Sequence, residues 1–506
     1  MSNDIPPSAP LGPLDLLGDI APDDLRAQLH RMADWIADYR ETIERRAIVP
    51  TVQPGDITAQ LPVSSPTAPK SLDLILSDLD AIIMPGIVHW GHPAFLGYFG
   101  STSNGPALLG EVVAAALNVS ALTWRTSPAA TELETVVLGW IREMIGLPDT
   151  FTGVVYDTAS VGVLHALAAA REVAGSDVRA RGLAGRTDLP VYRVYASDQA
   201  HSSINKAMIV LGLGESNVVR VASDVDFRLD VDALRVAIED DLDRGYRPMV
   251  VVATVGTTST TSVDPVARIA EVCRTYGAWL HVDAAYGGAL AVLPERRDLM
   301  EGIELADSFI INPHKWLFVP LDFSALYTRH PNVLRSVFSL VPEYLRGDAS
   351  SGTNEQTRDV GAAIDYMDYS LQLGRRFRAL KAWMVFRAFG RDGITARIRE
   401  QCRLAQLLAG WIAADARFQI MAPVPMAVVC FRFNPDGVDP DSCDRTNEEI
   451  VETVNASGDA YLTHTRLRGR VAMRVGIGNV LTTERHLAHV WRRIQAATSA
   501  SASMRA

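Results

Sequence analysis

The stretch Met249-Val250-Val251-Val252-Ala253-Thr254-Val255 is a short β-branched run that stops at Gly256-Thr257-Thr258. A helical pattern follows from Val266 to Tyr276, and then a second run, Trp279-Leu280-His281-Val282. The same alternation extends in both directions, from about Gly105 to His330. Further runs are Val154-Val155-Tyr156, Val191 to Tyr195, Val218 to Val221 and Phe309 to Ile311, with Val231 to Leu242 among the helical stretches. Such alternation predicts an α/β fold, a mostly parallel sheet covered by helices on both faces. Ligands of such sheets bind at the carboxyl ends of the strands.

Upstream, residues 1–20 are Pro-rich and read as a loose arm. Leu25, Leu29, Met32, Ile36, Tyr39 and Ile43 recur at helical spacing, and a second helical pattern runs from Leu72 to Met84 after a Pro/Thr/Ser-rich connection. Downstream, Gly347 to Arg358 reads as an exposed mobile loop. A long helical region from about Leu373 to Ala414, strand-like pieces at Ala427 to Phe433 and Val471 to Val475, and a helix near Arg485 to Ala496 predict a small α+β domain. The tail from Thr498 reads as disordered. The expected division is an N-terminal arm and helical dimerisation segment (1–104), a large domain (105–380) and a C-terminal small domain (381–506).

The 506 residues carry a net charge of −11 and no dense basic stripe, which argues against nucleic acid as the main partner. No apolar stretch reaches the ~20 residues of a membrane helix. The N-terminus lacks the pattern of a secretory signal. Cys273, Cys402, Cys430 and Cys443 form no C-x-x-C pair or metal spacing, so reduced thiols in a cytoplasmic protein and no metal are expected. Only four of the 48 basic residues are lysines, Lys70, Lys206, Lys315 and Lys381. That bias suggests a GC-rich, bacterial coding sequence. It also raises the question of what arginine could not do at those four places, because only lysine can be tuned into an amine nucleophile.

Asn312-Pro313-His314-Lys315-Trp316 follows the run Phe309 to Ile311, where α/β sites lie. A lysine there is ordinarily a surface residue, but in a partly dry site it loses its proton and can form an imine. Asp283, in His281-Val282-Asp283-Ala284-Ala285-Tyr286-Gly287, ends another run. A buried acid needs a cationic partner, which a protonated pyridine nitrogen would supply, though a helix cap or salt bridge explains it as well. Asp157-Thr158-Ala159-Ser160 stands before a helical stretch and reads either as a plain N-cap or as a phosphate cradle. Thr257 and Thr258 suit ligand contacts or a turn. His201, between strand–helix transitions, reads as a structural histidine or a ligand. A lysine, a carboxylate, a hydroxyl-rich cradle and an imidazole are together the parts of a pyridoxal phosphate site. The chain has no H-E-x-x-H, Walker loop, G-x-G-x-x-G helix start or G-x-S-x-G elbow.

These segments resemble those of the aromatic-L-amino-acid decarboxylases, the pyridoxal-phosphate-dependent group II decarboxylases. The likeness runs through His92-Pro93-x-Phe95, Tyr98-Phe99, Ser127 to Glu134, Asp198 to Ser203, Gly256 to Thr258, His281 to Tyr286, Asn312 to Trp316 and Leu373 to Arg378, in family order. The resemblance implies the fold type I, aspartate aminotransferase-like architecture and a homodimer with active sites at the interface. It implies that Lys315 anchors pyridoxal 5'-phosphate, Asp283 pairs with its ring nitrogen and His201 stacks on the ring. Thr158, Ala159, Ser160 and Asn312 would form the phosphate site, with Thr258, Ala285 and His314 lining the pocket. Trp90, Tyr98, Phe99, Ser101 and Gly374 match substrate segments, and Ser120 and Leu122 match positions donated by the neighbouring subunit. Tyr344 resembles the loop tyrosine that returns a proton to Cα after carbon dioxide leaves. The implied reaction is decarboxylation of an aromatic L-amino acid (Trp, 5-hydroxy-Trp, Tyr, DOPA or Phe type) to its amine. A decarboxylase for His or Glu, or an aldehyde synthase, is the alternative on the same scaffold. Trp90, Tyr98 and Phe99 favour a flat apolar side chain, and Tyr344 with His201 argues against the synthase. Asp157 departs from the family pattern, since an aspartate suits a phosphate site only if it points away.

Overall fold

The computed structural model describes residues 19–503, apart from Ser101, Ser176 and residues 341–363. The expected mobile loop from Gly347 to Arg358 and most of the expected N-terminal arm lie outside the described residues. Seven strands form one sheet: β1 (Thr152–Tyr156), β2 (Tyr192–Ser197), β3 (Val218–Val221), β4 (Arg247–Thr254), β5 (Trp279–Asp283), β6 (Ser308–Ile311) and β7 (Ser324–Thr328). Their order is β1-β7-β6-β5-β4-β2-β3, and only β7 runs against the others. The helices Ala159–Val173, Val231–Asp243 and Val266–Tyr276 pack on this sheet. Six strands coincide with runs legible in the sequence. β7 does not, because Ser324 and Thr328 close a run of only three other residues, and its place is set by pairing with β1 and β6 rather than by local pattern.

As the edge strand, β1 would leave the backbone of Val155 unpaired on its outer side. A buried ion pair fills that place. Glu134, on the helix Pro128–Ile145, accepts from the Val155 N–H at 3.1 Å, and Arg375 donates to the Val155 carbonyl at 2.8 Å. Arg375 also donates to Glu134 at 2.6 Å and to the Ala121 carbonyl at 3.1 Å. Both side chains are at most 3% exposed. Removing one charge strands the other in a dry site, so Arg375→Met is expected to lower unfolding free energy by about 3–5 kcal/mol. Denaturant titration would show it as an earlier midpoint, and a change below about 1 kcal/mol would rule out this role.

The C-terminal part carries an antiparallel sheet of β8 (Phe418–Ile420), β9 (Val428–Phe433), β10 (Thr463–Leu467) and β11 (Arg470–Gly476), ordered β10-β11-β9-β8. β9 and β11 match the expected strand-like pieces. β8 is too short to show a pattern, and β10 is a polar Thr-His-Thr-Arg segment with one apolar residue. The helix Arg378–Ala413 begins later than expected and is broken at Gly390, whose φ is 63°. The last helix, Glu484–Ser503, extends past Thr498, where disorder was expected, and residues 504–506 lie outside the described residues. Its Ala/Ser composition is compatible with helix, and the Thr498 hydroxyl donates to the Gln495 carbonyl. At the N-terminus, the helices Pro22–Glu41 and Leu72–Asp78 form as the spacing predicts, and neither buries a residue fully.

Candidate active site

The carboxyl ends of β1, β2, β4, β5 and β6 open on one pocket, and Lys315 lies within it. β6 ends at Ile311, and the helical turn Pro313–Trp316 that follows places Lys315 in the pocket lining. Its Nζ lies 5.1 Å from the centre of the Phe99 ring and has no ion-pair partner among the described residues. Burial holds the Lys315 amine below the usual lysine range, with Asp283 opposing and Arg474 adding to the shift. The segment is locked on both sides. His314 Nδ1 accepts from the Phe323 N–H at 2.9 Å, Asn312 accepts from the Ser324 hydroxyl at 2.7 Å, and Trp316 donates to Gln401 at 2.6 Å. Burial pushes His314 down to about 3, so that it stands as a neutral imidazole beside Lys315.

Asp283 ends β5 and is 6% exposed. One oxygen accepts from the Ala285 N–H at 3.1 Å, and no Arg, Lys or His forms an ion pair with it among the described residues. The salt-bridge reading therefore fails, and a buried carboxylate faces the pocket with an acceptor to spare. Thr254 is its register partner on β4. The hydroxyls of Thr254 and Ser203 are buried, belong to pocket-lining residues and have no hydrogen-bond partner among the described residues. Buried polar atoms without partners carry a desolvation penalty, so an unpaired acid and two unused hydroxyls around a half-buried amine are the donor set a polar aromatic cofactor would complete. The residues fit pyridoxal phosphate on that ground.

Thr158 precedes the helix Ala159–Val173, yet its hydroxyl makes no capping bond, against the plain N-cap reading. Thr158, Ala159 and Ser160 line the pocket with first-turn amides that a helix leaves free. Asp157 does not line the pocket; its carboxylate accepts from the Thr158 N–H at 2.7 Å, so the first-turn amides open to a ligand are those that follow. Thr258 and Ala285 also line the pocket, whereas Thr257 serves the turn by bonding Thr260 and Ser262. Gly256 (φ 85°) and Gly287 meet back to back there, and a Cβ on Gly256 would lie 2.9 Å from the Gly287 nitrogen. His201 lines the pocket and is exposed, its Nδ1 accepting from the Ser203 N–H at 3.1 Å. Partial burial holds it below the usual histidine value, with Asp283 opposing and Lys315 adding to the shift.

The substrate residues divide. Phe99 lines the pocket and stacks on Tyr286 at 3.9 Å, which stacks on Trp316 at 4.6 Å. Tyr98 turns into an adjoining chamber of ≈770 Å³ that shares Phe99 and Thr258 with the pocket. Trp90 stacks on Tyr98 at 5.5 Å and lines neither space. Ser120, Leu122 and Gly374 also lie away from Lys315. The Ser120 hydroxyl accepts from the Arg375 N–H next to Gly374 at 3.4 Å, so Ser120 and Gly374 share one exposed surface. Ser101 and Tyr344 lie outside the described residues. Ser203, Thr254, Gly256 and Tyr286 line the pocket without having been named as site residues, although Ser203, Gly256 and Tyr286 lie in the quoted motifs. Ser203 follows His201 by two residues and Thr254 ends β4, so strand-end position was the available signal.

The profile of the pyridoxal-dependent decarboxylase conserved domain matches residues 54–434. The chain is similar to a phenylacetaldehyde synthase of Arabidopsis thaliana, 38% identical over 94% of this chain and 95% of that protein. A tryptophan decarboxylase of Camptotheca acuminata is 37% identical over 94% and 95%. The crystal structure of Oryza sativa TDC with PLP and tryptamine superposes with a TM-score of 0.90 at 36% identity, covering 96% of this chain and 99% of that one. These relatives are plant proteins and lend no support to the bacterial origin expected from the arginine bias.

Proposed function

The chain belongs to the pyridoxal-dependent decarboxylase family, and from that premise we propose how its own residues carry the reaction. It is a PLP-dependent enzyme that decarboxylates an aromatic L-amino acid to the amine and carbon dioxide. The observation that carries the reading is the half-buried Lys315 amine, without an ion-pair partner among the described residues, in the same pocket as the Asp283 carboxylate, which also has none. Bound pyridoxal phosphate supplies an electron sink for the pair left behind when carbon dioxide departs. Lys315 would anchor the cofactor and yield its place to the substrate amine. Asp283 would hold a proton on the ring nitrogen, and His201 would cover the ring face. The hydroxyls of Thr158 and Ser160 and the amides of Ala159 and Ser160, with Asn312, would hold the phosphate, and Thr258, Ala285 and His314 would wall the pocket. Phe99 and Tyr98 supply flat apolar surface for an aromatic side chain, supported at the back by Trp90.

We further assign a homodimer in the cytoplasm. The helix Gly105–Leu117 leaves Leu109, Val112, Val113 and Leu117 exposed, on a chain whose Ser120 and Gly374 are also exposed and whose Leu122 is half-buried. A second copy covering that face would carry Ser120 and Leu122 to its neighbour's pocket. All four cysteines are free thiols, as a reducing compartment allows.

An aldehyde synthase is the second reading, favoured by the likeness to the Arabidopsis protein. The two differ in what happens at the substrate's Cα. Tyr344 would deliver a proton there and yield the amine. Without that proton, dissolved oxygen can take the electrons, giving aldehyde, ammonia and peroxide. A panel of L-amino acids (Trp, 5-hydroxy-Trp, Tyr, DOPA, Phe, His, Glu), with amine, aldehyde and carbon dioxide measured, is expected to show amine from an aromatic substrate. In Tyr344→Phe the product is expected to move toward aldehyde while cofactor binding is unchanged. Amine at the wild-type rate with no aldehyde would hand the proton to another donor, His201 first. Aldehyde as the main wild-type product would establish the synthase.

A further inference from the structure

β11 carries Arg474, a cation 5% exposed. Its Nη1 donates to the Tyr98 carbonyl at 2.5 Å and its Nε to the Ser259 carbonyl at 3.2 Å. The guanidinium carbon lies 4.6 Å from the centre of the Phe99 ring, the same ring that Lys315 Nζ approaches at 5.1 Å. No carboxylate pairs with Arg474 among the described residues, and its Nη2 is buried without a partner. A buried charge without a counter-ion is costly, and arginine cannot shed its charge as lysine can. Two carbonyls and a ring face offset only part of that cost.

Its contacts show where the benefit falls. Tyr98-Phe99 and Thr258-Ser259 are the two segments that separate the cofactor pocket from the adjoining chamber. Arg474 ties both to the C-terminal sheet. Gly476, two residues on, donates its N–H to the Leu96 carbonyl at 2.8 Å and leaves no room for a Cβ beside the Tyr98 carbonyl. Tyr98 itself has a φ of 55°, a conformation that needs holding in a residue with a side chain.

Building on the assignment of Lys315 as the cofactor lysine, we infer that Arg474 is a positioning residue. It clamps the Phe99 and Thr258 walls and stands as a fixed cation against the Phe99 ring that the reacting amine also approaches. Around Lys315 the opposing charge is Asp283 at the end of β5. His201, after β2, and His314 are held toward their neutral forms by burial, and Tyr286 is held as a neutral phenol. Arg474 is therefore the permanent positive neighbour, and it disfavours a second positive charge on the Lys315 nitrogen.

The test is a pH titration of the visible absorption of the holoenzyme, which reports the protonation of the Lys315–cofactor linkage apart from turnover. Arg474→Gln and Arg474→Met remove the charge, and the titration midpoint is expected to rise by about one pH unit. KM for the aromatic substrate should also rise several-fold as the clamp loosens. An unshifted midpoint in a folded neutral variant overturns the inference. Should neither neutral variant accumulate as holoenzyme, Arg474→Lys decides. It keeps a cation with fewer donors and should hold the wild-type midpoint while raising KM, and an upward shift there overturns the inference. Borohydride reduction and peptide mapping of the wild type separate the two claims. Absence of the pyridoxyl group from Lys315 defeats the underlying assignment, whereas its presence with unshifted neutral variants defeats the role of Arg474 alone.

Discussion

Lys315→Ala is expected to abolish turnover, and Lys315→Arg to do the same although it keeps the charge. The amine must be free to attack a carbonyl carbon, and a guanidinium stays protonated at any working pH. No other lysine can step in. Lys70 and Lys206 are exposed, and Lys381 is buried against Glu111, with which it forms an ion pair. The scarcity of lysine makes the check unambiguous: after borohydride reduction the wild-type holoenzyme should carry the pyridoxyl group on the peptide containing Lys315, and neither variant should carry it on any peptide. Both variants should fold, since among the described residues the Lys315 amine makes no ion pair whose loss would matter. Near-wild-type carbon dioxide release from either one would remove Lys315 from the mechanism.

The parts legible in the sequence share a physical reason. Parallel strands buried on both faces appear as short apolar runs, and in α/β sheets function follows directly after them. Lys315, Asp283, Thr158 and His201 each lie just past such a run, so fold and site were visible together. What stayed hidden depends on pairing across the chain. β7 and β10 have no distinctive local pattern. Thr254 and Ser203 gain meaning only because their hydroxyls are left unpaired beside the pocket. Arg474 is one of 44 arginines, inside a strand more than 150 residues beyond Lys315, and only the packing of β11 on Tyr98 brings it to the site. The choice at Asp157-Thr158-Ala159-Ser160 between a cap and a cradle turned on a side-chain direction, which sequence does not encode.

Asp283→Asn is expected to leave the fold intact and to cut the rate by on the order of 10²-fold or more. The amide oxygen of Asn can accept from the Ala285 N–H as the carboxylate does, so the turn after β5 keeps its bond. The other edge of the group changes from an acceptor with charge to a neutral donor. A neutral amide cannot hold a proton on the ring nitrogen, and without that proton the ring is a poorer sink for the electrons that carbon dioxide leaves behind. His281, two residues earlier on the same strand, is no substitute. Burial pushes it down to about 4, and its Nδ1 is engaged with the Ser308 hydroxyl at 2.8 Å. Thermal unfolding and cofactor content of Asp283→Asn should stay near wild type while single-turnover decarboxylation slows. A loss under about threefold, a barrier change of under about 1 kcal/mol, would mean that the carboxylate serves only the turn.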